Sequence, residues 1–545
     1  MKAGYFFGRG NILGCDLFSL KKIKGQCPAD NERGHRGKKK NERESRRAVW
    51  FFAIYHDVLP TRTSIRAKSL AAGNQKYLDT FWASVIFCPR SEARTKRNIM
   101  TAIERTAGFF HPSRAFYRFT NLFWIASLSF GSYFAYDIVS AIAPTLVEEL
   151  HAARGTVGTF FTMYSIAAVL AVFVGGVLVD KLGTRKASLL FSVLVFLGAA
   201  LVWRAKTIPM FFVGRFIFGA GSEPLIVAQS AMLARWFKNK ELALSFGLTL
   251  TVSRLGSLFA FNTGELITSY FGSFRYALLA AVGACAISLI GNFFYILMDR
   301  RAERVLQLKD ESAGDKIYFK DIKEFKPTFW YVTFLCLTFY SAVFPFTALS
   351  TDFFVDKWGI ARTAEAGGSF LHQVFNNFFH MFSTAGGISS IIVFASMIFA
   401  PFAGSLVDKV GKRATLMILG SLIMIPSHLL MGVTRIYPAI PMVALGAAFV
   451  LVPAAMWPSV PLIVRKERVG TAFGLMTAIQ NIGLGLFPLL NGLLRDLTHT
   501  YTASSIMFSS LGIFGLIFAF LLKRADAREG GGLEVLKQKA ETTPS

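Results

Sequence analysis

Four ionisable side chains lie well inside long apolar segments of this chain: Asp137, Arg215, Glu223 and Arg254. A charge placed in hydrocarbon is costly, so each is a candidate functional residue. Glu223 and Arg254 stand near the middles of two consecutive segments, where antiparallel neighbours would bring them together as a pair. A carboxylate and a guanidinium at that depth could bind the ammonium and, in bidentate fashion, the carboxylate of a zwitterion. A structural clamp between the two segments is the alternative.

Three further residues of the first half form a pattern on one helical face. Tyr133, Tyr136 and Asp137 occupy positions i, i+3 and i+4, which share one side of a helix. We expect this side to face a cavity. Arg215 precedes Glu223 by eight residues, about 12 Å along a helix. Because that is too far to share one small ligand, we expect Arg215 to be structural.

The second half offers neutral side chains instead of charges. We expect Trp457 to form an aromatic wall, and Gln480 and Asn481 to donate hydrogen bonds to peptide groups. Tyr340 precedes Pro345, which we expect to break its helix. Ordinary helix packing is the alternative for each residue. Together they predict an uncharged, hydrogen-bonding wall: Tyr340, Trp457, Gln480 and Asn481.

The composition identifies the kind of protein that holds these residues. Of 545 residues, 53% are hydrophobic and 17% are charged, whereas about a quarter are charged in average soluble domains. Disorder, a disulfide scaffold and a Cys/His metal protein are excluded, since Cys and His number only 5 and 8. The net charge of +26 suits loops that face anionic lipid better than nucleic acid. We therefore expect lipid contact, no nucleic-acid partner, no metal and no cofactor.

The apolar segments predict an all-α integral membrane protein. A membrane helix needs about 20 apolar residues, and a charged stretch, 300–326, divides the candidates six and six. The loops on one side hold most of the Lys and Arg, which predicts cytoplasmic N- and C-termini. The twelve predicted spans are 121–146, 156–179, 187–203, 208–235, 241–270, 276–298, 328–350, 384–407, 414–433, 438–464, 470–494 and 503–522.

A short loop motif occurs in both halves. It follows the second span of each half and has the pattern Gly-x-x-x-Asp-Lys-x-Gly with a later Arg. Internal repeats are typical of transporter folds. We call the two copies the signature loops, and we expect them to gate conformational change. Their residues are Gly176, Asp180, Lys181, Gly183 and Arg185 in the first loop, and Gly404, Asp408, Lys409, Gly411 and Arg413 in the second.

These loops resemble the signature loop of the major facilitator superfamily, over residues 117–524. The resemblance implies two pseudo-symmetric six-helix bundles, a central substrate site and alternating access. It also implies that Asp180 faces a helix N-terminus near Gly470, where the helix dipole favours a carboxylate. That contact forms when the cytoplasmic side is closed. Simple anchoring of the loop charges in the headgroup region is the alternative.

Other stretches resemble the lysosomal dipeptide uniporters of that superfamily and their bacterial relatives. This resemblance implies dipeptide transport, with an acidic residue of the fourth span on the peptide amine and an arginine of the fifth span on its carboxylate. Glu223 and Arg254 match these positions. In the superfamily an arginine at the position of Arg215 has a structural or proton-coupling role. The matching stretches are 131–137, 214–228, 236–256, 301–304, 342–346 and 471–485.

We therefore predict a secondary transporter of dipeptides or similar zwitterions, either facilitated or proton-coupled. An organic-anion or drug transporter is the first alternative, and a non-transporting receptor or scaffold is the second. An enzyme is not expected, because the chain has no Walker, Gly-x-Ser-x-Gly or His-Glu-x-x-His sequence. We expect a monomer, with an accessory membrane protein as the family suggests. The bacterial inner membrane is the favoured location, and the lysosomal membrane is the alternative.

Five regions follow from these observations. Residues 1–116 form a basic extension in which Met100 is the favoured true start, with a regulatory or lipid-binding extension as the alternative. The other regions are a bundle at 117–299, a linker at 300–327, a bundle at 328–524 and a polar tail at 525–545. A loop helix near 370–382, apolar at helical spacing, is expected on the membrane surface.

Overall fold

The computed structural model describes residues 111–112, 114–237, 241–306, 324–364, 367–465 and 468–535. Every regular element in these ranges is helical. This agrees with the predicted class, because backbone groups inside lipid must find their hydrogen bonds within a helix or a closed barrel. The predictions for Met100 and for most of the extension and linker lie outside the described residues.

The first half runs from residue 115 to residue 306. Its spans pack around a shared apolar core that includes Tyr117, Phe160 and Phe218. The helices are α1 (Ala115–Ala141), α2 (Ala143–Glu149), α3 (Arg154–Arg204), α4 (Ile208–Phe237), α5 (Leu242–Phe271) and α6 (Phe274–Leu306).

The second half runs from residue 327 to residue 529. Pro345 lies inside α7, which ends two residues later, so the helix does not break at the proline itself. The helices are α7 (Pro327–Thr347), α8 (Ser350–Trp358), α9 (Phe370–Phe379), α10 (Ala385–Val410), α11 (Arg413–Val433), α12 (Ala439–Met456), α13 (Val460–Ile463), α14 (Val469–Thr498) and α15 (Thr502–Glu529). Short 3-10 turns follow α9 (Met381–Ser383) and α12 (Trp457–Ser459).

The predicted number of spans is confirmed within the described ranges. Eleven helical segments are long and apolar enough to cross a membrane, and Ala385–Ala400 of α10 is a shorter twelfth. The predicted spans 156–179 and 187–203 both lie in α3, which leaves helical geometry at Gly183 (φ 75°, ψ 159°). Gly411 ends α10 at φ 70°. Both signature loops thus place a glycine in the left-handed region, which other residues rarely occupy.

The two halves meet most closely at the end remote from the signature loops, which we call the closed end. There α3 lies against α14, and a Cβ at Gly158 would collide with the carbonyl of Pro488. Likewise α5 lies against α10, and a Cβ at Gly386 would collide with the carbonyl of Phe261. Glycine therefore permits the backbone approach that brings the halves together here.

Ionic contacts reinforce the closed end. Arg154 Nε lies 2.5 Å from Oδ2 of Asp352, which is buried. The backbone N–H groups of Arg154 and Gly155 donate to the Asp496 carboxylate at 3.1 and 2.8 Å. Asp496 of α14 therefore lies at the N-terminus of α3, where the helix dipole favours a negative charge.

The signature loops have different surroundings. A Cβ at Gly176 or Gly404 would meet no atom within 4 Å. Asp180 and Lys181 are exposed. The first glycine of each loop, Gly176 or Gly404, thus borders open space, while the opposite end of the molecule is closed.

Candidate functional site

Arg254 of α5 lies in a cage of three aromatic rings at the boundary between the halves. Its Cζ is 5.6 Å from the ring centroid of Tyr133 on α1, 5.8 Å from that of Phe344 on α7 and 5.2 Å from that of Phe449 on α12. These distances allow cation–π attraction, which partly compensates a buried guanidinium. Its buried Nε has no hydrogen-bond partner among the described residues. Arg254 therefore presents a cation that both halves contact.

Glu223 of α4 is held by a hydrogen-bond chain from two other helices. Its Oε1 accepts a hydrogen bond from Tyr164 Oη of α3 at 2.9 Å. Tyr164 Oη also lies 3.2 Å from Ser222 Oγ, which lies 2.6 Å from Ser132 Oγ of α1. The chain orients the Glu223 carboxylate, and among the described residues its hydroxyl contact is to Oε1 alone.

The expected direct pairing of Glu223 with Arg254 is wrong. Within the described part of the chain, no ion pair joins these two side chains. The reason is that each has another neighbour: Tyr164 contacts Glu223, and three rings surround Arg254. Tyr133 is an electrostatic neighbour of both. The two charges share one region without neutralising each other.

The predicted face of α1 serves two sites. Tyr133 contacts Arg254, whereas Tyr136 packs edge-on against Tyr164, with ring centroids 4.8 Å apart. Asp137 is 7% exposed, and its electrostatic neighbours include Arg254 and Arg215. The side chains that share a helical face therefore diverge once neighbouring helices pack on it.

Arg215 is enclosed entirely within the first half. It is 1% exposed, and its Nε donates to the carbonyl of Phe160 at 3.2 Å. A cavity just large enough for one water molecule adjoins it. Rings surround its Cζ at 5.0–5.5 Å; they belong to Tyr136, Phe161, Tyr164 and Phe218. This environment favours the structural role.

The second half contributes an aromatic wall beside Arg254. Trp457 Nε1 donates to Tyr340 Oη at 2.9 Å. The Tyr340 ring stacks on Phe344, with centroids 5.7 Å apart, and Phe344 also contacts Arg254. Tyr340 and Trp457 are therefore connected to the Arg254 cage.

The two amides of α14 are less directly connected. Gln480 Oε1 lies 3.6 Å from Cys336 Sγ. Asn481 is 2% exposed, and its Nδ2 donates to the carbonyl of Thr477 at 3.1 Å. Its Oδ1 has no hydrogen-bond partner within the ranges described. Among the described contacts, neither Gln480 nor Asn481 touches the rings around Arg254 or Arg254 itself.

The first signature loop is tied to its own bundle through Arg185. Its Nε lies 2.8 Å from Oδ2 of the fully buried Asp299, and it also pairs with Glu303. Asp299 accepts a further hydrogen bond from Trp236 Nε1 at 2.8 Å. The side chain of Asp408 in the second loop lies outside the described residues.

The second loop instead meets the C-terminal segment. Arg413 N donates to the carbonyl of Leu533 at 2.9 Å. Glu534 accepts from Thr415 N at 2.9 Å and Thr415 Oγ1 at 2.8 Å. Lys409 is exposed. The contact implied between Asp180 and the region of Gly470 stays a prediction.

Three site residues were not predicted from the sequence. Tyr164 holds Glu223, and Phe344 and Phe449 complete the cage of Arg254. Phe344 is adjacent to Pro345, which was a weak signal for it. Phe449 is one of 55 Phe residues in the chain, so its residue type alone does not mark it as a site residue. Within the described residues, no group of three or more His, Cys, Asp or Glu side chains could hold a metal ion.

Comparisons with known proteins agree with this architecture. The profile of the Major Facilitator Superfamily matches residues 125–371 and 368–543. The lysosomal dipeptide transporter MFSD1 of Danio rerio is 31% identical over 438 residues, covering 78% of this chain and 90% of that protein. The protein of the same name from Homo sapiens is 31% identical over 446 residues, covering 79% and 91%.

More distant proteins are also similar to this chain. The hexuronate transporter of Bacillus subtilis is 21% identical over 418 residues, covering 74% of this chain and 94% of its own. The crystal structure of the nucleoside transporter NupG superposes with a TM-score of 0.57 at 15% identity, covering 74% of this chain and 98% of that one. Both similarities extend over nearly the whole length of those proteins.

Proposed function

Because this chain belongs to the Major Facilitator Superfamily, we propose that it moves small zwitterionic solutes, dipeptides above all, across a membrane by alternating access. The chain is a multi-pass membrane transporter, and its family is one of transporters, not enzymes. The choice of solute rests on the site. Relatives at 31% identity that are named lysosomal dipeptide transporters support it.

One observation carries the proposal: Glu223 and Arg254 lie in one region but are not paired with each other within the described residues. A zwitterion with separated charges can place its ammonium at Glu223 and its carboxylate at Arg254. Each end then gains a charge-assisted hydrogen bond. A solute with one charge leaves the other site unmatched, which lowers its affinity.

The aromatic wall supplies the remaining contacts. Tyr340, Trp457 and Phe344 belong to the second half, whereas Glu223 and Arg254 belong to the first. A solute that bridges these groups therefore contacts both halves. Rocking of the halves about that solute exposes it to either side of the membrane. In the present structure the closed end is sealed by Arg154, Asp352 and Asp496.

The test is counterflow of a labelled dipeptide in proteoliposomes containing the full chain. We expect Glu223→Gln and Arg254→Lys each to reduce uptake at least tenfold. Glu149→Gln and Arg300→Lys change exposed charges of the same types and should keep uptake near the unmodified rate. Peptides blocked at either end should compete poorly.

The outcomes separate the alternatives. If Arg254→Lys abolishes uptake while Glu223→Gln does not, the solute is an organic anion. If a folded protein binds dipeptide without counterflow, the receptor interpretation holds. A rate that is independent of pH favours facilitated transport, and a rate that rises with a proton gradient favours symport.

For the location of the protein, we propose the bacterial inner membrane, with the lysosomal membrane of the relatives as the alternative. Fractionation of the source cells tests this proposal.

A further inference from the structure

The short helix α9 exposes an apolar face. Leu371, Phe375 and Phe379 are 67%, 63% and 83% exposed. They recur every four residues, so they share one side of the helix. His372 and Gln373 occupy another side, and their side chains contact the carbonyls of Gly367 and Gly368. The helix thus has a protein-facing side, an exposed apolar side and a polar side.

The protein-facing side joins α9 to the other half of the molecule. Asn377 is 3% exposed, and its Nδ2 donates to the carbonyl of Asn262 on α5 at 2.6 Å. Phe378 packs edge-on against Phe259 of α5, with centroids 5.2 Å apart. Phe370 packs against Tyr270 of the same helix at 5.3 Å. A helix of the second half is therefore fastened to a helix of the first.

This fastening lies at the closed end. Asn262 Nδ2 also lies 3.0 Å from Ser390 Oγ of α10. Leu258 of α5, Met381 and Val393 of α10 form a small apolar cluster beside it. The end of α5 is thus held by α10 on one side and by α9 on another.

The exposed apolar side of α9 is continuous with other apolar surface. Phe259 and Phe271 of α5 are themselves exposed, at 39% and 49%. On the side of α9 away from α5, Tyr437 donates to the carbonyl of Phe382 in the turn after α9. Nearby along the chain, Ile440 of α12 is 65% exposed. In a membrane protein such surface on spanning helices faces lipid. An apolar helical face between two lipid-facing helices belongs to the same environment.

We propose that α9 seats its Leu371, Phe375 and Phe379 face in the bilayer interface and acts as a strap that holds the closed end shut. The occupant of this face is lipid. Opening the closed end requires α5 to separate from α9, which breaks the contact between Asn377 and Asn262. The proposal is independent of which solute is carried.

Spin labels test the lipid contact. In a full-length background without other cysteines, single labels are placed at 375 and 379 and, as the matched control, at 372, and the protein is placed in phosphatidylcholine–phosphatidylglycerol vesicles. For each label we measure the ratio of its collision rate with oxygen to its collision rate with an aqueous nickel reagent. We expect this ratio to be severalfold higher at 375 and 379 than at 372. Equal aqueous access at all three positions would overturn the lipid contact. Immobile labels that neither reagent reaches would indicate a protein partner and overturn it as well.

A second measurement tests the strap. Thr351 of α8 is fully buried and donates to the carbonyl of Ser140 in the other half, so Thr351→Cys reports opening through its reaction with a membrane-impermeant maleimide. We expect Asn377→Ala to raise the labelling rate at least threefold. Gln373→Ala removes a contact internal to the α9 segment and should leave the rate unchanged. Equal rates in both variants would refute the strap, whether or not dipeptide transport is observed.

Discussion

The ion pair between Arg154 and Asp352 allows a quantitative prediction about the closed end. Arg154 belongs to the first half and Asp352 to the second, with Nε and Oδ2 2.5 Å apart. Tyr501 donates a further hydrogen bond to Asp352. The Asp352 side chain is 5% exposed, whereas that of Arg154 is 22% exposed. Asp352→Asn keeps the shape of the side chain and removes its charge.

The expected magnitude follows from these contacts. A hydrogen bond to a charged group contributes about 1.5–3 kcal/mol. Arg154 retains a second partner, since Asp356 Oδ1 lies 3.9 Å from Nη2. We therefore expect the closed end to lose about 2 kcal/mol relative to its opened form, near the lower end of that range. At about 1.4 kcal/mol per factor of ten, the ratio of closed to open molecules falls roughly thirtyfold.

Asp356→Asn is the matched control, one turn further along α8. Asp356 is exposed and pairs with Arg495 of its own half at 2.6 Å, while its contact with Arg154 across the halves is long, at 3.9 Å. An exposed pair contributes about 0–1 kcal/mol, so this variant should shift the ratio little. The assay is the distribution of distances between spin labels at Glu149 and Arg435, exposed positions of the two halves, in lipid nanodiscs. Equal distributions for both variants would refute the reasoning, provided that thermal unfolding shows both folded.

Three further predictions follow from the structure. The hydrogen bond from Arg362 lowers the pKa of Glu148 below its usual range. This contact therefore stabilises the closed end above the ordinary glutamate pKa, and the stabilisation is lost as pH falls through the lowered pKa. Between pH 3 and 6 the melting temperature should fall slightly as pH is lowered, and Glu148→Gln should abolish this fall. Arg185→Ala removes one of two arginine partners of the fully buried Asp299, since Arg235 Nε stays 3.5 Å from Oδ1. It should lower the free energy of unfolding by about 2 kcal/mol, less than the roughly 3–5 kcal/mol lost when a buried charge is left unpaired, measured in detergent against Lys186→Ala as the exposed control. Gly158→Val places a side chain against the Pro488 carbonyl and should widen the label distances at the closed end, whereas Gly283→Val, where a Cβ meets no atom within 4 Å, should not.

Sequence reasoning predicted the helices well because the bilayer imposes a simple rule. A run of about 20 apolar residues must satisfy its backbone internally, so it is a helix whatever its neighbours are. The glycines of the signature loops also follow from local chemistry, since Gly183 and Gly411 adopt positive φ angles. The helix predicted near 370–382 is present as α9 because its apolar spacing is itself a local property.

The site was only partly accessible to that reasoning. The polarity of Glu223, Arg254, Tyr340 and Trp457 inside apolar segments was sufficient to propose them. The predicted pairing of Glu223 with Arg254 was wrong because side-chain partners depend on which helices pack between them. In the structure Tyr164 of α3 donates to Glu223, and the rings of Phe344 and Phe449 contact Arg254.

The sequence by itself determined the membrane class, the number of spans, the repeated halves and a short set of buried polar residues. These depend on composition and on spacing within single helices. Only the tertiary structure decided how the halves meet: that Asp496 lies at the N-terminus of α3, that Arg154 pairs with Asp352, and that α9 is fastened to α5. These contacts join residues more than a hundred positions apart, and their distances exist only once close-packed helices fix the relative position of the two halves.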